Sequence, residues 1–206
     1  MRLLILAILW TFWCVIHSGM ISVTATTYFK QRLGSGFRFY RLIFNAVAVI
    51  SLVPVVLYGH SIRGTAVFHW NGPGVLLRAI LLAAAVGLFF AGAKQYDLFQ
   101  FLGVRQIKDN TIHGALTETG RLETTGILNM TRHPWYLGAI LLVWTYQGAM
   151  DVSALMSNTI LTVYLVVGAV LEERKLLMAY GEEYRRYQKR VSMFFPFKYL
   201  ISRFFG

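Results

Sequence analysis

Residues 134–171 read PWYLGAILLVWTYQGAMDVSALMSNTILTVYLVVGAVL. Two apolar stretches, Pro134 to about Met150 and Ala154 to Leu171, flank a tight turn around Asp151. A bilayer takes roughly 20 apolar residues per crossing helix. The two stretches are short and closely joined, which predicts an antiparallel helical hairpin. Working outward, three more segments read as spans: Leu3 to about Thr27, Leu42 to Tyr58 with Pro54 as a kink or local break, and Val75 to Ala93. Arg2 is too thin a basic region, and the stretch after it too long, for a cleaved signal peptide.

Composition agrees. The chain has 206 residues, 56% hydrophobic and 14% charged, with a mean hydropathy of +0.54. A soluble domain of this size has too little interior for that much apolar surface. The expectation is an all-α, polytopic membrane protein with five transmembrane helices, a C-terminal helical hairpin and an amphipathic tail helix. It forms one domain over residues 1–206. A net charge of +11 fits basic cytoplasmic loops facing anionic lipid; no nucleic-acid motif is present, and no nucleic-acid partner or obligate protein partner is expected. The single cysteine, Cys14, excludes an intrachain disulfide. The five histidines are scattered, none i, i+4 from another, so no metal site is expected.

Basic residues set the orientation. Of the 20 lysines and arginines, only Arg2, Arg63 and Arg78 fall on one side of the five spans. The other side is the cytoplasm, with the N-terminus outside and the C-terminus inside, in what is expected to be a bacterial inner membrane. The connection from about Lys94 to His133 is the longest non-spanning stretch, and loops this long carry function or lack order. In the tail, Leu176, Tyr180, Tyr184, Tyr187 and Val191 recur three or four apart and make an apolar-aromatic stripe. Such a helix either lies on the membrane surface or docks on its own protein.

Polar groups in or beside spans are costly and mark functional candidates. His17 falls in the inner half of the first span, and Asn45 sits one turn into the second. Gln95, Tyr96 and Asp97 close the third, Arg132 and His133 open the fourth, and Glu172 and Glu173 close the fifth. Each has a bland alternative: a hydrogen-bond pair for His17 with Ser18, helix cross-linking for Asn45, the charge rule for Arg132. Together they describe a site opening to the cytoplasm. Arg132-His133-Pro134-Trp135-Tyr136-Leu137-Gly138 is the sharpest segment. Pro134 suits a first helical turn, whose free N–H groups and positive dipole end favour an anion. Gly138 permits close approach by a helix or a ligand. Glu172 and Glu173 can accept from ribose hydroxyls or an ammonium, or hold an arginine.

Those residues, with Tyr180-Gly181-Glu182-Glu183-Tyr184, Tyr187, Arg190-Val191 and Phe195-Pro196, resemble the isoprenylcysteine carboxyl methyltransferase superfamily of integral membrane methyltransferases. His17-Ser18, Tyr40 to Asn45, Tyr96 to Phe99 and Phe101 to Gln106 look more like its bacterial methanethiol S-methyltransferase branch. That branch also contains a denitrification-associated membrane protein. The chain departs from it in a shorter N-terminus and in Ser192, where the superfamily usually has proline. The resemblance implies S-adenosylmethionine, held within about residues 94–200. It implies cofactor contacts from His133, Pro134, Tyr136, Leu137, Gly138, Glu172, Glu173, Tyr184 and Tyr187. His17, Asn45 and Gln106 would face a small or lipophilic thiol acceptor, and Arg105, Arg132 and Glu173 would serve the reaction. A thiol must ionise to accept a methyl group, and a nearby cation such as Arg105 or Arg132 would help. The alternatives are an NADPH-dependent reductase of the sterol type and a non-catalytic membrane accessory protein.

Overall fold

A computed structural model describes residues 1–95, 98–109 and 122–204. In chain order it contains α1 (Arg2–Met20), α2 (Val23–Leu33), α3 (Tyr40–Ser61), β1 (Phe68–His69), α4 (Pro73–Ala93), α5 (Leu98–Leu102), α6 (Val104–Asp109), α7 (Pro134–Thr145), β2 (Ala149–Met150), α8 (Val152–Arg190) and α9 (Phe197–Phe204). Among the described residues, four helical stretches, Arg2–Met20, Val23–Ser61, Pro73–Ala93 and Val152–Arg190, are long and apolar enough to cross a membrane. Their large outward side chains, such as Phe12, Ile50 and Phe90, are exposed, as lipid-facing residues are. The chain is an all-α polytopic integral membrane protein. Tyr96, Asp97 and Arg121 lie outside the described residues, as does much of the long connection after Lys94.

The described chain divides into two compact units. The first comprises residues 1–69, 98–109 and 149–161. Its core is Leu6, Trp10 and Val55, with Leu9, Trp13, Leu52, Met156 and Ile160 packed on them. The indoles find polar partners within this apolar setting: Trp10 Nε1 donates to Ser157 Oγ at 2.9 Å, and Trp13 Nε1 to the Ala48 carbonyl at 3.0 Å. The expected first span is shorter than its apolar run. Helix α1 ends at Met20, and Ser22, in extended conformation, caps α2 by accepting the Ala25 N–H at 3.2 Å. Helix α3 runs through Pro54 without interruption. The tight turn at Asp151 has a clear cause: its carboxylate accepts the Ala154 N–H and the Ser153 hydroxyl, and binds the Gly64 N–H at 2.7 Å. Strand β2 pairs antiparallel with β1 beside it.

The second unit comprises residues 70–95, 122–148 and 162–204. Helices α4 and α7 pack closely because glycines line their contact. Gly138 lies against the Ala85 carbonyl, Leu88 and Phe89, and Gly92 against the Trp135 indole, whose Nε1 donates to the Phe89 carbonyl at 3.1 Å. Arg78 satisfies the last carbonyls of α7, donating to those of Thr145 and Tyr146 at 2.7 and 3.1 Å. The fourth expected span is realised as this 12-residue helix. At 1.5 Å per residue it is about 18 Å long, short of the ~30 Å hydrocarbon layer.

Helix α8 has 39 residues. Its apolar part, to Leu171, covers roughly 30 Å, enough for the bilayer, so Glu172 and everything after it lie beyond the spanning segment. Gly181 interrupts the helix at φ 53°, ψ −125°, a left-handed conformation that suits glycine. The stripe beyond it docks on its own protein: Tyr184, Tyr187 and Val191 are buried with Leu122, Leu176, Leu177 and Tyr180.

Candidate functional site

The site of the second unit is built where α7 begins and α8 leaves its apolar part. Before α7, the segment at Thr131 runs parallel to that at Ser192. The Arg132 N–H donates to the Ser192 carbonyl and the His133 N–H to the Met193 carbonyl. This fixes the two side chains before Pro134 starts the helix.

Glu173 is the centre of the network. Its Oε1 accepts from Arg132 Nε at 2.6 Å and the Tyr184 hydroxyl at 3.1 Å, and lies 3.1 Å from His133 Nε2. Its Oε2 accepts from Arg132 Nη2 at 3.0 Å and Gln188 Nε2 at 2.7 Å. An ionised carboxylate has about four lone-pair sites, so these partners saturate it. Burial alone would push the Glu173 carboxyl up, but His133, the Arg132 guanidinium and Gln188 outweigh it and hold the group at about 2, against an ordinary 4.5. Burial and the Glu173 charge push the Tyr184 phenol well up, and burial does the same to Tyr187; both act as O–H donors. The Tyr187 hydroxyl donates a hydrogen bond to the Leu128 carbonyl at 2.5 Å.

The backbone break at Gly181 makes this network possible. Tyr184 follows Glu173 by 11 residues and Gln188 by 15, about 16 and 22 Å along a straight helix. Only a chain turned back on itself brings them within hydrogen-bond distance.

Arg132 is equally committed. Besides Glu173, its Nη1 donates to the Gln188 and Val191 carbonyls. Four of its five N–H groups are therefore occupied. His133 is 3% exposed. On its other side, His133 Nδ1 lies 3.9 Å from Glu172 Oε2.

A shallow cleft, open to solvent, runs along this network. Its walls are Gln95, Leu122, Glu123, Leu128, Arg132, Glu172, Leu176, Tyr180, Tyr184 and Tyr187. Of the expected cofactor contacts, Glu172, Tyr184 and Tyr187 line it, while His133 and Glu173 are bonded to its wall through Arg132 and Tyr184 but do not line it. Others are not among its walls. Pro134, Leu137 and Gly138 are buried in α7, and Gly138 admits helix α4 rather than a ligand. Tyr136 sets its ring edge against His133 at 5.3 Å and lies over Gly168.

The expected acceptor residues all belong to the first unit. His17 stacks on Trp13 at 5.1 Å and lies 4.9 Å from the Phe44 ring. Asn45 performs the cross-linking role: its Nδ2 donates to the Phe101 and Leu102 carbonyls, holding the end of α5. Arg41 Nε joins it on the Phe101 carbonyl at 3.1 Å. Gln106 donates Nε2 to the Gln100 carbonyl at 2.9 Å, and its buried Oε1 has no partner among the described residues. Arg105 is exposed on α6. Gln188 was not singled out by the sequence. Its signal was local: it is an uncharged amide between Arg185-Arg186 and Lys189-Arg190, four residues after Tyr184 and hence on the same helical face.

Similar proteins bear on this site. Methanethiol S-methyltransferase 1 of Bradyrhizobium diazoefficiens is 33% identical over 111 residues, 54% of this chain and 38% of that protein. A methanethiol S-methyltransferase of a Pseudomonas species is 25% identical over 201 residues, 95% of this chain and 74% of that protein. The chloroplastic 15-cis-zeta-carotene isomerase of Zea mays is 24% identical over 203 residues, 96% of this chain and 50% of that protein. The chain thus spans well under half of the Bradyrhizobium enzyme and half of the maize one. No solved structure matches. The profile described as NnrU protein matches residues 3–199, nearly the whole chain, and the protein belongs to that family.

Proposed function

We propose that the protein is an S-adenosylmethionine-dependent membrane methyltransferase whose acceptor is a small or lipophilic thiol of the methanethiol type. The observation that carries this reading is the tyrosine-lined cleft backed by the Arg132–Glu173 network. The methanethiol S-methyltransferases among its relatives support it.

The donor set fits the cofactor. S-adenosylmethionine combines an ammonium, a carboxylate, ribose hydroxyls and a cationic sulfur that supplies the methyl group. Glu172, Glu123 and Gln95, which line the cleft, offer acceptors for ammonium and hydroxyl donors. The aromatic rings of Tyr180, Tyr184 and Tyr187 in its lining are of the kind that suits an adenine ring or a sulfonium. Glu173, saturated by its partners, acts in this reading as a positioning residue. It holds Arg132, His133, Tyr184 and Gln188 so that the cleft wall stays in place.

The reading gives the acceptor to His17, Asn45, Arg105 and Gln106, with Arg105 as the cation that favours a thiolate. A cysteine-like thiol ionises near about 8.5, so a neighbouring positive charge raises the reactive fraction at neutral pH. Displacement at a methyl group otherwise needs alignment more than acid or base. We further place the C-terminal tail on the cytoplasmic side of a bacterial inner membrane, on the strength of the basic residues that follow Leu171, the end of the apolar part of α8.

The test is thermal unfolding of the detergent-purified protein with S-adenosylhomocysteine, with NADPH and with neither. Methyl transfer from labelled cofactor to methanethiol and a longer alkyl thiol is measured alongside. Stabilisation by S-adenosylhomocysteine and labelled thioether are expected. Stabilisation by NADPH alone would favour a reductase; no response to saturating S-adenosylhomocysteine would overturn the cofactor assignment.

A further inference from the structure

Helix α9 is amphipathic in the inverted sense. Phe197, Leu200, Ile201 and Phe204 recur at i, i+3, i+4 and i+7 and share one face. That face points away from the protein: the four side chains are 64, 41, 60 and 74% exposed, and Phe195 just before them is 53% exposed. The polar side is the one fastened down. The Lys198 N–H donates to Ser192 Oγ at 3.1 Å, and Lys198 Nζ to the Gln188 carbonyl at 2.8 Å. Facing water, these residues would form a contiguous apolar patch of the kind that soluble surfaces avoid.

The segment leading into α9 has a defined level. Ser192 and Met193 accept the N–H groups of Arg132 and His133, the pair immediately before the apolar helix α7. Residues 192–193 are thereby held at the start of the short apolar helix α7, and α9 begins four residues later. Exposed Arg203 on α9, with exposed Lys189 and Arg190 at the end of α8, adds positive charge at the same level. An apolar face flanked by cations is the pattern of a helix lying in the interface of an anionic leaflet.

We propose that α9 is an in-plane membrane anchor, its Phe197–Leu200–Ile201–Phe204 face sunk among the acyl chains of an anionic leaflet and its Lys198 side bound to the protein. The apolar face and the basic flank then both meet their complements without a further partner.

The experiment uses the full chain carrying Cys14→Ala, reconstituted into phosphatidylglycerol–phosphatidylcholine vesicles. Nitroxide labels are attached in turn at Ile201→Cys, Phe204→Cys and Ser202→Cys. None of these positions belongs to the cleft. Dissolved oxygen should relax the labels at 201 and 204 severalfold more strongly than a water-soluble nickel chelate does, and the label at 202 should show the reverse preference. In neutral vesicles the oxygen preference at 201 and 204 should fall. Equal nickel access at all three positions would place α9 in water or unravelled, and would overturn the proposal. So would poor access of both reagents with dipolar broadening between labels, which would mean that a second copy covers the face. An oxygen preference unchanged by removing phosphatidylglycerol would overturn the anionic part.

Discussion

Replacing Glu173 with glutamine tests the network most directly. The substitution keeps the shape but removes the charge and turns one acceptor oxygen into an NH2 donor. That donor must then face Arg132, His133, Tyr184 or Gln188, all of which point donors at the position. Arg132, whose side chain is 8% exposed, loses its counter-charge. Breaking a buried pair by removing one partner costs about 3–5 kcal/mol. A second route gives a similar figure. The carboxyl is held at about 2 against 4.5, and at 1.36 kcal/mol per unit the native state gains about 3 kcal/mol from its ionised form. For a chain of this length 1 kcal/mol moves the melting temperature by about 2–4 °C, so Glu173→Gln should melt about 6–12 °C lower. The assay is tryptophan fluorescence during heating in detergent, repeated across pH. The folded-state value is depressed, so the stabilisation is fully present above the unfolded value near 4.5 and is lost as pH falls through about 2. The gap between wild type and variant should therefore be constant above about pH 5 and shrink steadily below it. A melting temperature within about 2 °C of wild type at neutral pH, or a gap that does not narrow in acid, would refute the saturated-carboxylate account.

Gly181→Ala places a side chain at φ 53° with open space around it, so only backbone strain acts; a loss of about 1–2 kcal/mol and weaker stabilisation by S-adenosylhomocysteine are expected in the same melting assay. Gly92→Ala drives a methyl group into the Trp135 indole that binds the Phe89 carbonyl; it should cost about 1–3 kcal/mol, and a neutral result would show that α4 and α7 are not in firm contact there. Tyr187→Phe leaves the buried Leu128 carbonyl without its hydroxyl donor and should lower stability by about 1–2 kcal/mol, read by denaturant or heat. Arg105→Ala should slow methyl transfer to a thiol at neutral pH and recover as the pH approaches the thiol's own ionisation. Full activity at neutral pH would exclude Arg105 as the thiolate stabiliser.

The sequence by itself determined the membrane class and most of the helices. A bilayer reads hydropathy over windows of about 20 residues, so Val75–Ala93 and Ala154–Leu171 could be recognised without knowing their neighbours. The capping at Ser22 and Asp151 is also local, although composition does not mark the end of α1, because the apolar run continues beyond Met20. Tyr184, Tyr187 and Val191 formed a visible stripe, since helical periodicity puts them on one face. What the stripe covers is a matter of tertiary structure, and so is the division of labour between Glu172 and Glu173. These adjacent carboxylates look equivalent in sequence. One is saturated by groups 11 to 41 residues away, while the other lines a cleft. The same holds for Gly138, which local reasoning could give to a ligand or a helix and which packing gives to α4. A hydrogen bond is decided by where a partner arrives in space. Here that arrival depends on a single left-handed residue, Gly181, which reverses the chain.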